Sequence, residues 1–401
     1  MEPKSYPRRI GVVDQSVAGW TAAATYSKMI VQSLSAACKA TGSELYFLSA
    51  KEPENQDVTW IELTAQGYSR RGQARLRYAL RMRHDADPFS VARKHHLDVL
   101  LPLLDVPPWK VDTVSIGWIP DFQHVHLPQF FQPAEVQNRD ATIRRLVTKA
   151  TLIMVSSEAA KNDFNAFAPH ASDKARVAPF PSLLAFTELT RNPEATRNKF
   201  NLPQKFALIA NQFWAHKNHQ LVVSALAKLR NEGILIPTVM TGLPVDHRDP
   251  DNKNFSALLQ AIARADLSSD IRILGQVDYT DLIDLMRTAA VIVQPSRFEG
   301  WSTVVQDAKA LGRPLLCSDI NVHREQAPDA LGFFDCDVPE TLVALLTRCW
   351  PTLMAGPDES LEETARAREG AFARTHGENL LRICAEAIDK NSHGRNSGLT
   401  V

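Results

Sequence analysis

The chain holds 401 residues, 44% hydrophobic and 22% charged, with 45 basic against 45 acidic side chains and a formal net charge of zero. That length suits two domains of roughly 100–200 residues each, with apolar content enough for a core in both, while zero net charge supplies no global field toward nucleic acid. Five scattered cysteines (Cys38, Cys317, Cys336, Cys349, Cys384) without a C-x-x-C pair argue against a disulfide framework or a structural zinc site, and no window approaches 18 uninterrupted apolar residues.

Met1 to Arg9 is polar and lacks an apolar signal core, which fits a cytoplasmic protein. In chain order, Ile10–Val13 is the first expected strand, followed by a long helix from about Thr21 to Ala40. Glu44–Leu48, Leu97–Leu103, Val114–Ile119 and Leu152–Val155 continue the strand series. After a stretch punctuated by Pro179, Pro181, Pro193 and Pro203, a second series begins. Its strands are Phe206–Ala210, Thr238–Met240, Ile271–Leu274, Val291–Val293, Leu315–Cys317 and Gly332–Phe334. Leu221–Arg230, Asp281–Ala289 and Thr303–Leu311 read as its helices. Near-continuous apolar strands with helical crossovers specify parallel sheets covered on both faces. The expected class is therefore α/β, with two Rossmann-like doubly wound domains. We expect domains at 1–180 and 205–375, joined by a linker at about 180–204. Leu361–Lys390 reads as two helices, of which 376–390 is expected to pack back on the first domain, and 391–401 as a disordered tail.

Ligands of open parallel sheets bind beyond the carboxyl ends of the strands, and four such places carry candidate residues. Asp14–Gly19 follows the first strand; its lone Gly19 is no G-x-G-x-x-G fingerprint, which counts against a simple NAD dehydrogenase. Asp121-Phe122-Gln123-His124-Val125-His126 crowds two histidines and an aspartate into one loop. No third or fourth metal ligand accompanies them, so hydrogen bonding to a polar substrate is the favoured role of Asp121 and His126. Asn211 to His219 places Gln212, His216 and Lys217 just before a helix. A lysine there opposes the helix dipole but would neutralise a diphosphate. Finally, Glu299-Gly300-Trp301-Ser302-Thr303 precedes a helix that carries Asp307. Gly300 permits close backbone approach, and Ser302 or Thr303 caps a helix whose free N–H groups favour an anion. From Ser302 to Asp307 the helix rises roughly 7–8 Å, enough to reach from a sugar phosphate to a ribose. The plainer reading is a capped helix with two solvated acids.

From Leu274 to Glu325 the pattern resembles glycosyltransferase family 4, the retaining enzymes with two facing Rossmann-like domains. The match includes Leu274-Gly275-Gln276-Val277, Pro295-Ser296-Arg297-Phe298-Glu299-Gly300 and, further on, Leu311, Gly312, Pro314 and Ser318. Val155-Ser156-Ser157-Glu158 resembles the family's serine motif near the domain junction, and Asp121-Phe122-Gln123-His124 and Trp214-Ala215-His216-Lys217-Asn218-His219 look like a bacterial subset that builds surface polysaccharides. The resemblance implies the GT-B architecture, with the donor in an interdomain cleft. It implies that Glu299 contacts donor-sugar hydroxyls, that Asp307, shortened from the family's glutamate, contacts the ribose, and that Lys217 contacts the diphosphate. The family's arginine falls at about Gln212, and His216 or Arg297 is the candidate replacement. The active-site histidine is His124 or His126, with His124 preferred because it completes the Asp-Phe-Gln-His run.

The implied reaction is transfer of a hexose, mannose favoured, with retention. Lys217 and the Ser302–Thr303 helix start would stabilise the departing nucleoside diphosphate. No cofactor and no metal are expected, and no D-x-D motif stands out in the expected site. The partners are a nucleotide-sugar donor and a saccharide or lipid-linked acceptor. Arg70, Arg71, Arg75, Arg77, Arg81 and Arg83, with Leu76, Tyr78, Leu80 and Met82 between them, form a basic amphipathic segment suited to an anionic membrane surface. Two alternatives are a sugar-nucleotide epimerase of the same architecture and a catalytically silent sugar-nucleotide-binding protein.

Overall fold

A computed structural model of the chain describes residues 6–16, 21–53, 57–63, 87–107, 112–189 and 191–397. The chain divides into two compact units. The first comprises 1–122, 137–183 and 371–401, and the second 123–136 and 184–370.

The first unit carries a seven-stranded sheet. Its strands are β1 (Arg9–Val13), β2 (Glu44–Ser49), β3 (Thr59–Glu62), β4 (Val99–Leu103), β5 (Val114–Trp118), β6 (Leu152–Val155) and β7 (Ala175–Val177). Their order is β3-β2-β1-β4-β5-β6-β7, with every neighbour parallel. The sequence reading lacks β3 and β7. Both are short edge strands, and the half-exposed Thr-Trp-Ile-Glu of β3 shows none of the continuous apolar character of β4, which is buried at all five positions. The chain turns from one sheet direction to the other between β1 and β4. There the Gln15 carboxamide donates to the Pro102 carbonyl at 2.8 Å, and the Gln15 N–H donates to Ser27 Oγ at 2.9 Å.

The second unit carries a six-stranded parallel sheet in the order β10-β9-β8-β11-β12-β13. The strands are β8 (Ala207–Ala210), β9 (Thr238–Thr241), β10 (Ile271–Gly275), β11 (Val291–Gln294), β12 (Leu315–Ser318) and β13 (Gly332–Phe334). Alternate residues feed two cores. Ala207, Ile209, Val291, Val293 and Leu316 pack with the helices His219–Asn231 and Pro339–Cys349. Leu208, Ala210, Ile292, Leu315 and Cys317 pack on the other side with Tyr279–Thr288 and Thr303–Ala310. This is the period-two division required when helices cover both faces of a sheet. Both expected α/β sheets are present.

The stretch expected as a linker, 180–204, holds the division between the two units, after Leu183, and a short helix. Asn192 accepts the Glu194 N–H, and Pro193 opens the helix Pro193–Lys199 with a pre-set φ. The C-terminal region is one helix, Glu359–Ser397, instead of two helices and a disordered tail from Asn391. No proline interrupts it. Gly377 remains inside it because a Cβ there would lie 2.1 Å from the Ser33 carbonyl oxygen, so the glycine allows close approach to the helix Thr21–Thr41. Within the first unit this helix is also held by Lys390 to Asp173 at 2.8 Å and by the Glu386–Arg176 pair. Among the described residues, no helix is long and apolar enough to cross a membrane.

Candidate active site at the strand ends of the second unit

The second sheet reverses its direction of growth between β8 and β11, the position at which open α/β sheets form a crevice. The loops leaving these two strands carry Lys217 and Glu299. Strand β8 ends at Ala210, and the chain passes through Asn211–Trp214 into a 3-10 turn, Ala215–Lys217. Asn218 then adopts φ 59°, a left-handed conformation that asparagine tolerates, and the helix His219–Asn231 begins. The Asn218 amide donates to the Cys336 carbonyl at 2.8 Å and fixes the turn. Strand β11 ends at Gln294, and the chain runs through Pro295–Trp301 to the Ser302 cap. A backbone bond from the Arg297 N–H to the His216 carbonyl, at 2.8 Å, ties the two loops together.

The centre of the arrangement is Lys217 Nζ donating to Glu299 Oε1 at 2.6 Å, with side chains 15% and 10% exposed. The same carboxylate oxygen accepts Gln294 Nε2 at 2.9 Å. Gln294 is fully buried; its Nε2 also donates to Ser296 Oγ at 3.0 Å, and its Oε1 accepts Asn211 Nδ2 at 2.8 Å. Glu299 is thus oriented by two donors on one oxygen, which leaves Oε2 without a partner among the described residues. A charge-assisted pair of this kind, largely removed from water, is stronger than a surface pair and remains polarised toward an arriving ligand.

Three histidines around this centre are held neutral. Burial lowers His216 well below the ordinary range, and nearby Lys217 and Arg248 lower it further. Burial, then Lys217, pushes His219 down to about 3, and its ring stacks on Phe213 at 4.6 Å. Burial also lowers His323, against the opposing influence of Glu299.

The sequence-nominated residues are distributed as follows. Ser302 caps the helix Thr303–Ala310 by accepting the Val305 N–H at 3.3 Å, but its own N–H is taken by Gln326 Oε1 at 3.0 Å. The helix start therefore offers Thr303 and Val304 N–H to an anion, and Ser302 itself serves as the cap. Gly300, Trp301 and Gln212 are half-buried in the two loops. Asp307 is 7% exposed and accepts the Tyr279 hydroxyl at 3.4 Å. His126 lies 5.0 Å from the Phe298 ring, beside Glu299, whereas His124 is 1% exposed with its ring edge-on to Phe131. Asp121 belongs to the first unit, where it accepts Arg139 at 2.6 Å. Gly19 and the six arginines of 70–83 lie outside the described residues.

Two further groups escape a motif-based reading. Gln294 ends an apolar strand, and only its polarity at a strand terminus marks it. Arg248, in the loop after β9, is bound to both Asp246 oxygens at 2.9 and 3.0 Å. It approaches His216 Nδ1 at 3.4 Å and stacks on Trp214 at 4.9 Å and Phe131 at 5.2 Å. It brings a second, already paired, cation next to the Lys217 loop, where Gln212 supplies none. Arg297 instead pairs with Asp337. Asp337 belongs to an Asp335-Cys336-Asp337 triplet after β13, a D-x-D sequence whose ligand atoms lie within 4.8 Å of one another.

Comparison with known proteins adds three observations. Residues 191–348 match the family model described as glycosyl transferases group 1. A stretch of 108 residues, 27% of this chain, is 31% identical to the putative glycosyltransferase EpsF of Bacillus subtilis (strain 168) and spans 26% of that protein's length. The fold matches a glycosyltransferase from Rickettsia africae at TM-score 0.64 and 15% identity, covering 97% of this chain and 99% of that one. It also matches Anabaena HepE in complex with UDP-glucose at TM-score 0.59 and 14% identity, covering 97% and 99%. At these identities the structural likeness speaks for the fold alone.

Proposed function

We propose, from the match of residues 191–348 to the glycosyl transferases group 1 family model, that the chain is a retaining glycosyltransferase whose donor site is the crevice between the β8 and β11 loops. The observation that carries this reading is the Lys217–Glu299 pair, which joins the two strand-end loops on either side of the sheet's reversal point. A nucleotide-diphosphate sugar arriving there meets complementary groups. Lys217 shifts from Glu299 to the diphosphate and neutralises the charge that grows as the glycosidic bond breaks. The Thr303 and Val304 N–H groups add the helix-start dipole. Glu299, still held by Gln294, turns Oε2 toward the sugar hydroxyls and stabilises the oxocarbenium-like transition state. Asp307, with Tyr279 beside it, receives the ribose. His126, next to Phe298, or His124 is the histidine facing the transferred sugar.

The donor is a hexose nucleotide, mannose favoured by the sequence resemblance, and HepE binding UDP-glucose supports a nucleotide-diphosphate sugar of this class. The acceptor is a saccharide or lipid-linked saccharide of surface-polysaccharide synthesis. The 70–83 arginine segment would bring the protein to the anionic inner face of the membrane. Flotation with anionic vesicles that is lost when those arginines become glutamate supports this contact, and equal flotation of both forms contradicts it.

Turnover across a panel of nucleotide sugars, with a lipid-extract acceptor and with EDTA, tests the function. We expect one donor to be consumed in EDTA and its turnover to fall about 10²-fold or more in Glu299→Gln. Loss of turnover in EDTA would bring Asp335-Cys336-Asp337 forward as a cation site. Donor binding with no turnover identifies a silent binding protein, and formation of the C2 epimer without acceptor identifies an epimerase.

A further inference from the structure

The short helix Asn321–Gln326 grips the Glu299 loop at both ends from beneath. Gln326, 1% exposed, makes a double bond pattern with one residue: its Oε1 accepts the Ser302 N–H at 3.0 Å, and its Nε2 donates to the Ser302 carbonyl at 2.7 Å. Gln326 Nε2 also reaches Gln306 Oε1 at 3.2 Å, one turn into the following helix. At the other end of the loop, His323 is fully buried, with Nδ1 3.0 Å from the Ser318 carbonyl and 3.1 Å from Ser318 Oγ. A carbonyl only accepts, so Nδ1 carries the proton. Ser318 Oγ in turn donates to the Ser296 carbonyl at 2.5 Å. The loop 296–302 is thereby fixed at its first and last residues by two side chains one turn apart on one helix, and Glu299 stands midway between.

His323 Nε2 is a buried nitrogen with no hydrogen-bond partner among the described residues. An orphaned buried polar atom is costly, and a phenylalanine would fill the same space without it. A ring present for packing alone would not need to carry that nitrogen, whereas a ring present for its Nδ1–H carries it as an unavoidable cost.

We propose that His323 and Gln326 are positioning residues that hold the Glu299 carboxylate in register with the donor sugar, acting through Ser318–Ser296 and Ser302 respectively. This rests on the proposed transferase reading of the Glu299 crevice. Neither residue touches the donor. Their effect is confined to how well Glu299 meets the sugar, while the diphosphate contacts of Lys217 are left in place.

The test compares His323→Phe, His323→Asn and Gln326→Met with the wild type by calorimetric titration of UDP-glucose and UDP, or of whichever sugar nucleotide and diphosphate pair the wild type binds, together with kcat and melting temperature. The advantage of the sugar nucleotide over the bare diphosphate measures the Glu299 contact. In His323→Phe and Gln326→Met that advantage should fall at least fivefold and kcat at least tenfold, with affinity for the diphosphate within threefold of wild type in His323→Phe, whose Nδ1 bond lies at the far end of the loop from the Ser302 helix start. His323→Phe should melt within about 2 °C of wild type, because the variant removes the orphaned nitrogen along with the Nδ1 bond. His323→Asn, whose Nδ2 stands where Nδ1 stood, should restore most of the advantage. An unchanged advantage in His323→Phe, or activity and melting temperature falling together in all three variants, overturns the positioning role. A wild type that binds no nucleotide sugar overturns the transferase reading itself, a result distinct from either.

Discussion

At the scale of single residues, the site turns on a buried ion pair with unequal support. Glu299 Oε1 has two donors, Lys217 and Gln294, whereas the only hydrogen bond of Lys217 Nζ among the described residues is to Glu299. Removing one charge leaves the other largely desolvated. Lys217→Met should therefore destabilise the protein by about 1–3 kcal/mol. The double variant Lys217→Met/Glu299→Gln should regain part of that stability, because no uncompensated charge remains, without regaining turnover. Denaturant unfolding of the two variants and wild type checks this; a double variant less stable than the single one contradicts the pairing. Lys217 and Glu299 were legible in the sequence as candidates because each follows an apolar strand run in a loop that carries several polar residues. Gln294 was less legible, since it reads as the frayed end of Val-Ile-Val. Arg248 was not legible at all, because its partners Asp246, Gln123 and His216 come from three separate stretches of chain.

At the scale of elements, strand ends and helix starts are set by a few backbone-specific positions. Gly242, after β9, has φ +149°, and a Cβ there would lie 2.2 Å from the Asn211 carbonyl oxygen. Gly242→Ala must push the Asn211–Lys217 loop away from the sheet. Its melting temperature should fall and donor affinity drop at least tenfold, measured by thermal denaturation and titration; unchanged affinity would show that the Lys217 loop is not anchored there. Ser302→Ala removes the cap of Thr303–Ala310 and should cost about 1 kcal/mol of stability. Most strands were legible from apolar runs and the helix Thr303–Ala310 from its Ser302 cap, whereas the edge strands β3 and β7 and the Asn192-capped helix were not. The single helix Glu359–Ser397 was not, because its amphipathic pattern fades toward a small, polar end. What fixes it within the first unit are contacts distant in sequence, such as Gly377 with Ser33 and Lys390 with Asp173.

At the scale of the whole molecule, each unit encloses a histidine that burial forces to stay neutral. His219 in the second unit and His376 in the first are both pushed down to about 3, chiefly by burial. An unfolded chain protonates them near the ordinary histidine value of 6.5. Between pH 6.5 and 3 the unfolded state binds more protons, so stability is full above 6.5 and is lost as pH falls toward 3. Each histidine contributes roughly 1.4 kcal/mol per pH unit in that window. Melting temperature should be flat from pH 8 to 7 and fall steeply from pH 6 to 5. His219→Phe should make the fall shallower, and a wild-type profile flat to pH 5 would contradict the neutral assignment. The segment 123–136 shows why domain boundaries are harder to read than sheets. It is contiguous with the first series of strands, yet its packing counts it with the second unit. The bonds responsible, among them Gln123 to Arg248 and His126 against Phe298, join residues more than a hundred positions apart.

The most direct measurement of the central claim is a proton NMR time course of nucleotide-sugar turnover by wild type and Glu299→Gln under identical conditions. The wild type should form a glycoside with the anomeric configuration of the donor, and Glu299→Gln should form it at least a hundredfold more slowly while still binding the nucleoside diphosphate. A product of inverted configuration, or equal rates in the two proteins, would contradict that claim.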